Sequence, residues 1–297
     1  MTATMEASNV QAPEQSAVRT LADAGCSAEE LAQFEQDGFL IVRGALAPEH
    51  VARLKGVIAA REAEWQSSPD KKSVYGLDIR PIVNKDPAFL ALIEHPTTFP
   101  KAVRVLGHYN LQLMTSHLIM VPPDPAQRNI GWHRDGGNPR PTMGSGGGGD
   151  CRMSLKIGYF LTDLLESKMG SLMVVPGSHQ LPGTTLAGWD RQDPPGAIEL
   201  KVHAGDAVIF ENRVYHAGAV NHSAQTRVVL YYGYGYRWLK PIDYGGAFPE
   251  EILAQCSPIG RQLLGAKTSH LGYHIPSEED VPLRAWYEER FGKALLV

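Results

Sequence analysis

The chain has 297 residues, a formal net charge of -4 at pH 7 and 43% hydrophobic residues. This length is enough for one large domain with its own apolar core. The weak negative charge, without any block of Lys and Arg, argues against nucleic acid or an anionic membrane surface as a partner. The cysteines Cys26, Cys151 and Cys256 form no C-x-x-C pair, so we expect free thiols in a reducing compartment.

The N-terminal region shows no sign of a targeting or membrane segment. Residues 1–20 lack the basic and apolar parts of a secretory signal. No apolar run in the chain approaches the roughly 18 residues of a membrane span. We therefore expect a cytoplasmic protein without a membrane partner, disordered over residues 1–20 and folded as a single domain over residues 21–297.

The first third of the chain is predicted to be mostly helical. Ser27 and Glu30 have the S-x-x-E spacing of a capping box, which predicts a helix start, and a short apolar strand follows that helix. A second helix is predicted to begin at Pro48 and to end near Trp65. A further helical segment is predicted over about residues 87–106.

From Leu111 the pattern changes to apolar runs of strand length separated by Gly, Pro and Asn. These runs are LQLMTSHLIMV, RMSLKIGYFLTD, SLMVVPG, IELKVHAGDAVIF and RVVLYYGYGYRW. Such a series is typical of a β-sandwich or barrel, here with a core over about residues 111–240. No linker separates it from the helical part, which favours one domain. From about Phe248 the chain returns to helix and loop.

Residues 144–150 read GSGGGGD and form the low-complexity segment of the β region. Five glycines make the backbone permissive, but no Lys-Ser or Lys-Thr follows them, so this is not a phosphate-binding loop. Two interpretations remain open. The segment is either a mobile connection or a lid over a site formed nearby.

The stretch GWHRDGG, residues 131–137, is the first candidate site. In an extended chain His133 and Asp135 point to one face and Arg134 to the other. The letters H-R-D also open the catalytic loop of protein kinases, but Asn138 is spaced differently from the kinase Asn and no D-F-G motif accompanies it. No G-x-S-x-G elbow of a serine hydrolase exists either. Both enzyme classes are therefore excluded.

A non-haem iron site fits these residues better. Fe(II) oxygenases hold their metal with two His and one carboxylate and leave positions open for a cosubstrate and dioxygen. His133 and Asp135 supply two such ligands, and the third must be a His that is distant in sequence. In VIFENRVYHAGAVNHSAQTRVVL, His216 follows a buried strand and Arg227 lies on a later one. An Arg there can form a bidentate pair with a cosubstrate carboxylate.

These motifs resemble the phytanoyl-CoA dioxygenase family of Fe(II)/2-oxoglutarate oxygenases. The resemblance rests on WHRD, LTDLLESKMGSLMVVPGSHQ and GDAVIFENRVYHAGAVNHSAQTRVVL, in that order, and covers most of residues 28–266. It implies a double-stranded β-helix, a jelly-roll-like barrel of cupin type, supported by the N-terminal helices. It also implies that His133, Asp135 and His216 bind Fe(II), and that Arg227 binds the C5 carboxylate of 2-oxoglutarate.

Further cosubstrate contacts are less evident from the sequence. Many relatives carry Ser two residues after the Arg, where this chain has Val229, so a second carboxylate contact must come from elsewhere. Alternation places His117 on the face that relatives turn into the barrel, either as a core residue or as a contact to cosubstrate or substrate. Lys156 either points outward or meets a carboxylate inside. We take His117 and Lys156 as candidate cosubstrate-binding residues.

Two more residues have expected roles. His179, in PGSHQ, is expected to be structural because relatives end a strand with a tight turn there. Arg80, in IRPIV before the barrel, is a candidate for substrate contact.

The resemblance implies an oxidoreductase that oxidises an unactivated C-H bond, with 2-oxoglutarate and dioxygen consumed and succinate and CO2 as coproducts. Hydroxylation is the default outcome, and desaturation, cyclisation and epimerisation are the alternatives. Halogenating relatives replace the carboxylate of Asp135 by Gly or Ala, so halogenation is not expected. We expect the substrate to be a small, largely apolar molecule of secondary metabolism.

Three rival classes remain at this stage. A zinc hydrolase could use the same two His and one Asp, and its activity would need neither dioxygen nor 2-oxoglutarate. A non-catalytic barrel that binds a small molecule would be expected to have lost a ligand, and all three are present. A purely structural role is the third.

Overall fold

The computed structural model describes residues 25–67, 76–127, 131–135, 152–181 and 192–292. The predicted disordered start, the GSGGGGD segment and Cys151 lie outside the described residues. The helices are α1 (Ala28–Asp37), α2 (Pro48–Gln66), α3 (Pro87–Leu90), α4 (Phe99–Leu106), α5 (Glu250–Leu253), α6 (Pro258–Leu263) and α7 (Leu283–Phe291). The strands are β1 (Phe39–Val42), β2 (Leu77–Ile79), β3 (Leu111–Val121), β4 (Ser154–Phe160), β5 (Leu172–Val174), β6 (Ile198–Glu199), β7 (Ala207–Glu211), β8 (His216–Gly218) and β9 (Arg227–Tyr236).

Helix α1 begins with the predicted capping box. The Glu30 amide donates to Ser27 Oγ at 3.1 Å, and the Ser27 amide donates to Glu30 Oε2 at 2.9 Å. The helix ends at Gly38, whose φ of 80° lies in the left-handed region that favours glycine. Its amide donates to the Phe34 carbonyl at 2.8 Å. These local signals account for the turn from α1 into β1.

The predicted helical segment over residues 87–106 is interrupted. It forms α3, a 3-10 turn over Ala91–Glu94, and α4. The interruption follows from Pro96, because a proline disfavours the helical conformation of the residue before it. His95 has ψ of 126° and ends the 3-10 turn. The predicted helical segment is thus present, but it is divided into three short helical pieces.

Two antiparallel sheets build the β region. The larger has the strand order β1-β7-β4-β9-β3-β2 and the smaller β6-β5-β8. One apolar cluster contains side chains of both sheets, so the sheets pack face to face. The members on the strands are Phe39, Phe160, Leu172, Val174, Val208, Phe210, Val229 and Tyr231. This cluster forms the inside of a flattened barrel.

The opposite face of the larger sheet is covered by the helices. In β9, Val229 and Tyr231 belong to the barrel interior, whereas Tyr232 and Tyr234 belong to the core beneath the helices. This alternation follows the two-residue period of a strand. The Tyr234 hydroxyl donates to the Ile93 carbonyl at 2.8 Å and ties β9 to the 3-10 turn. The tyrosine-rich run thus packs both faces of the barrel wall.

We expect Tyr234→Phe to lower the free energy of unfolding by about 1 kcal/mol, because it removes this buried hydrogen bond and leaves the ring in place. Urea unfolding followed by circular dichroism measures the change. Tyr236→Phe is the control, since the Tyr236 hydroxyl makes a longer bond of 3.2 Å to the Leu106 carbonyl at a less buried position. A Tyr234→Phe protein as stable as the wild type would contradict the expectation.

Among the residues that the structure describes, no helix is both long and apolar enough to cross a membrane. The cytoplasmic location and the domain limits at residues 1–20 and 21–297 stay predictions.

Candidate active site

His133 and His216 face each other in a two-residue antiparallel bridge. The amide of each donates to the carbonyl of the other at 2.9 Å, so both side chains leave the same face of the pair. Trp132 and Tyr215 precede them and stack on the opposite face, with ring centroids 5.6 Å apart. Strand alternation therefore turns both imidazoles to one side of the bridge. The stacked Trp132 and Tyr215 rings support the bridge from the other side.

A backbone carbonyl orients each of the two imidazoles through Nδ1. His133 Nδ1 lies 2.8 Å from the Gly131 carbonyl, and His216 Nδ1 lies 2.8 Å from the Val214 carbonyl. A carbonyl only accepts, so each Nδ1 donates, and Nε2 is the ring nitrogen left for a metal ion. Burial, together with the neighbouring His133, lowers the pKa of His216 to about 3. His216 is therefore neutral near pH 7.

Asp135 completes a group of three metal-ligand types. Its Oδ1 lies 4.0 Å from His133 Nε2 and its Oδ2 lies 4.0 Å from His216 Nε2. One ligand atom from each residue lies within 4.8 Å of the others. Burial by itself raises the pKa of Asp135, but Lys156, through its charge and its hydrogen bond, holds that pKa well below its usual value. Two imidazoles and an ionised carboxylate form the donor set of a mononuclear non-haem iron site.

Lys156 lies inside the barrel and meets a carboxylate, which was one of its two predicted positions. Its Nζ donates to Asp135 Oδ1 at 2.8 Å, and only 17% of its side chain is exposed. The carboxylate belongs to a candidate metal ligand rather than to a separate acid. Contact between Lys156 and a cosubstrate stays a prediction.

Arg227 stands at the first position of β9 and is 4% exposed. Its Nη1 donates to the Gly170 carbonyl at 2.8 Å, whereas its buried Nε has no hydrogen-bond partner among the described residues. Burial lowers the pKa of this guanidinium. A buried cation with an open donor is costly unless an anion binds it, so Arg227 is suited to a carboxylate ligand.

Val229 is fully buried in the interior cluster two residues further along β9. Because it has no polar side-chain atom, it provides no second contact for a carboxylate bound at Arg227. The need for a contact from elsewhere, inferred from the sequence, therefore remains.

His117 also faces the barrel interior. It pairs with Tyr231 in the register of β3 and β9, and the two ring centroids are 5.2 Å apart. Its Nδ1 lies 3.5 Å from Asp78 Oδ1, and its buried Nε2 has no hydrogen-bond partner among the described residues. Burial lowers the pKa of His117 to about 4 against the opposing effect of Asp78, so the ring is neutral near pH 7.

The carboxylate beside His117 was not found from the sequence. Asp78 lies on β2 and accepts hydrogen bonds from Arg80 Nε and Nη2, the shortest of them 2.8 Å long. The available signal was the spacing of two opposite charges, two residues apart, in the apolar stretch LDIRPIV, which places both on one face. Arg80, predicted as a substrate contact, is thus held by Asp78.

Asp243, in the loop after β9, is a second missed residue. Its Oδ2 accepts from Thr115 Oγ1 at 2.6 Å and from the Ser116 amide at 2.8 Å. Arg80 Nη1 lies 4.0 Å from its Oδ1. No pattern in the loop sequence marks it, because its partners lie on a distant strand.

Two side chains next to the motifs lie outside the metal group, as predicted. His179 Nε2 lies 3.0 Å from the Glu35 carbonyl on α1. This contact joins the turn over Ser178–Gln180 to α1, which is a structural role. Arg134 points away from its neighbours and donates to the Ser178 carbonyl.

Comparison with known proteins identifies the family of this chain. Residues 34–229 match the family described as Phytanoyl-CoA dioxygenase (PhyH). This chain belongs to the phytanoyl-CoA dioxygenase family. Membership confirms the expectation of an iron- and 2-oxoglutarate-dependent dioxygenase, an oxidoreductase.

Individual relatives of the phytanoyl-CoA dioxygenase type are distant. The chain is 24% identical to the dioxygenase cdmD of Talaromyces verruculosus over 159 residues, which are 52% of this chain and 49% of that protein. The match therefore spans about half the length of this relative.

Solved structures share the fold. One is the epimerase SnoN in complex with Fe3+, alpha ketoglutarate and nogalamycin RO, with TM-score 0.54 and 18% identity over 70% of this chain and 83% of SnoN. Another is HygX of Streptomyces hygroscopicus with nickel, 2-oxoglutarate and hygromycin B bound, with TM-score 0.58 and 18% identity over 72% of this chain and 89% of HygX. The predicted double-stranded β-helix is confirmed.

Proposed function

We propose that the protein binds Fe(II) through His133, Asp135 and His216 and oxidises a C-H bond of a small molecule with 2-oxoglutarate and dioxygen. The observation that carries this proposal is the group itself. Two imidazole Nε2 atoms, on rings held through Nδ1 by backbone carbonyls, and one ionised carboxylate lie within 4.8 Å of one another. They fit a divalent iron ion, which supplies the activation of dioxygen when bound.

Arg227 is proposed to bind the C5 carboxylate of 2-oxoglutarate. Its guanidinium is buried and keeps Nε open, so a planar carboxylate can replace the water lost on burial. The fixed Gly170 contact orients the side chain before the cosubstrate arrives. His117 is proposed as a further cosubstrate or substrate contact, because its neutral Nε2 is open and it lies on the interior face of β3.

The substrate is proposed to be a small molecule of secondary metabolism, largely apolar, with few polar groups. SnoN and HygX are crystallised with nogalamycin RO and hygromycin B, which supports a natural product as the substrate class. Hydroxylation is the proposed outcome. Epimerisation, desaturation and cyclisation use the same centre and differ in how the protein positions the substrate.

The proposal is tested by following succinate formation in purified protein given Fe(II), 2-oxoglutarate and dioxygen. We expect slow succinate release without substrate, and faster release when a panel of natural products includes an accepted one. Omission of dioxygen or Fe(II) should abolish it. Tight zinc binding with hydrolytic activity that needs neither dioxygen nor 2-oxoglutarate would instead establish the hydrolase alternative.

We expect Asp135→Gly to reduce 2-oxoglutarate turnover by at least about 100-fold, because the site loses its anionic ligand. Succinate release and metal content, measured on the same preparation, check this. Asp163→Ala is the control, since the Asp163 side chain is 59% exposed and contacts His203 rather than the metal group. Undiminished hydroxylation by the Gly variant would remove Asp135 from the ligand set.

A further inference from the structure

Lys156 is a cation in an unusual place, within hydrogen-bonding distance of a candidate metal ligand. Alternation in β4 turns Lys156 to the same face as Phe160, which belongs to the barrel interior. Its stem passes close to Gly233 on β9, where an added Cβ would lie 3.6 Å from Lys156 Cγ. The side chain is thus guided along the barrel wall to Asp135, where Nζ donates to Oδ1 at 2.8 Å.

Another cation of this region is engaged elsewhere. Arg80 is near enough to Asp135 to be affected by its charge, but its guanidinium is held by Asp78. Asp243, the third carboxylate of this region, accepts hydrogen bonds from Thr115 and Ser116. Among the described residues, Lys156 thus places an ammonium group in direct contact with Asp135, and both side chains are mostly buried.

The ion pair between Lys156 and Asp135 changes which charged ligands the site binds well. A divalent metal ion at two neutral imidazoles and a neutralised carboxylate keeps its full double charge, and it is repelled by the nearby ammonium group. A dicarboxylate dianion then restores neutrality. In a partly buried site of effective dielectric about 20, one unit charge several ångströms away changes a binding constant by about tenfold or more.

We propose that Lys156 is a positioning residue that strengthens binding of the dianionic cosubstrate to the metal-loaded site at the expense of affinity for the metal ion alone. It does so by holding Asp135 Oδ1 and by placing a fixed positive charge beside the metal group. This role rests on the proposed function, since it needs both a metal ion and 2-oxoglutarate at the site.

The test measures two binding constants in wild type, Lys156→Met and Lys156→Arg. Co(II) binding is followed by its visible absorption, and 2-oxoglutarate binding to the Co(II)-loaded protein by calorimetry. For Lys156→Met we expect Co(II) to bind at least about tenfold more tightly than in wild type, and 2-oxoglutarate to bind at least about tenfold more weakly. Lys156→Arg keeps the charge and should recover most of the 2-oxoglutarate affinity.

Lys101→Met is the matched control. Lys101 Nζ lies 2.6 Å from Glu30 Oε2, in another largely buried pair, on the outside of the barrel between α1 and α4. Its loss should leave both constants unchanged. Weaker binding of both Co(II) and 2-oxoglutarate in Lys156→Met would indicate a merely structural role and overturn the proposal, as would unchanged binding of either one. Failure of wild type to bind Co(II) and 2-oxoglutarate would instead refute the proposed function.

Discussion

His216→Ala is expected to abolish the Fe(II)·2-oxoglutarate complex while leaving the protein folded. The variant removes one of the two proposed imidazole ligands, and the remaining His133 and Asp135 adjoin each other in one short segment. Metal sites depend on the number and geometry of their ligands, so two ligands should bind Fe(II) far more weakly. Anaerobic reconstitution measures the effect through the weak visible charge-transfer band of the iron-bound 2-oxoglutarate chelate.

His179→Ala is the matched control for this experiment. His179 is buried like His216 and its ring also meets a backbone carbonyl, but it lies outside the metal group. We expect it to lose some stability and to keep the band. A band that survives in His216→Ala would exclude His216 as a ligand. A wild-type protein that shows no band and binds zinc tightly would favour the hydrolase.

Arg227→Met is expected to abolish 2-oxoglutarate binding and to cost the ligand-free protein less stability than Arg237→Met does. The wild-type side chain is a buried cation whose one hydrogen bond goes to the Gly170 carbonyl, so an apolar chain of similar length loses that bond but removes an unfavourable desolvation. Ligand binding stabilises the folded state by about 2.7 kcal/mol at a ligand concentration of 100 Kd. The increase in Tm that 2-oxoglutarate causes in metal-loaded wild type should therefore disappear.

Arg237→Met is the control, because it should lower the Tm of the ligand-free protein and leave 2-oxoglutarate binding intact. Arg237 is 1% exposed, but its Nη1 and Nη2 donate to the carbonyls of Asp280 and Ala266 at 2.7 Å. Its loss leaves those carbonyls without these donors, so Tm should fall while the 2-oxoglutarate-induced increase remains. An Arg227→Met protein that still gains stability from 2-oxoglutarate would show that the C5 carboxylate binds elsewhere.

Local patterns were enough to predict most elements of the fold. The capping box at Ser27, the proline at Pro48 and the two-residue alternation of β3 and β9 depend on neighbouring residues only. The helical segment over residues 87–106 was predicted less well. Its apolar pattern extends through Pro96, whose effect on His95 divides the helix.

The sequence by itself determined the ligand types of the site. His133 and Asp135 share a face because they are two residues apart, and His216 and Arg227 were chosen by the strand pattern around them and by the family resemblance. It also narrowed Lys156 to two positions, outward or against a buried carboxylate.

Only the tertiary structure decided which of these residues meet. The bridge between His133 and His216 depends on how distant segments pair, and alternation gives the face of a residue but not its partner across the barrel. The same holds for Lys156 on Asp135 and for His117 beside Asp78, each joined across strands or loops far apart in the chain. A buried charge is costly unless a group of opposite charge lies beside it, and strand register and packing determine where that group lies.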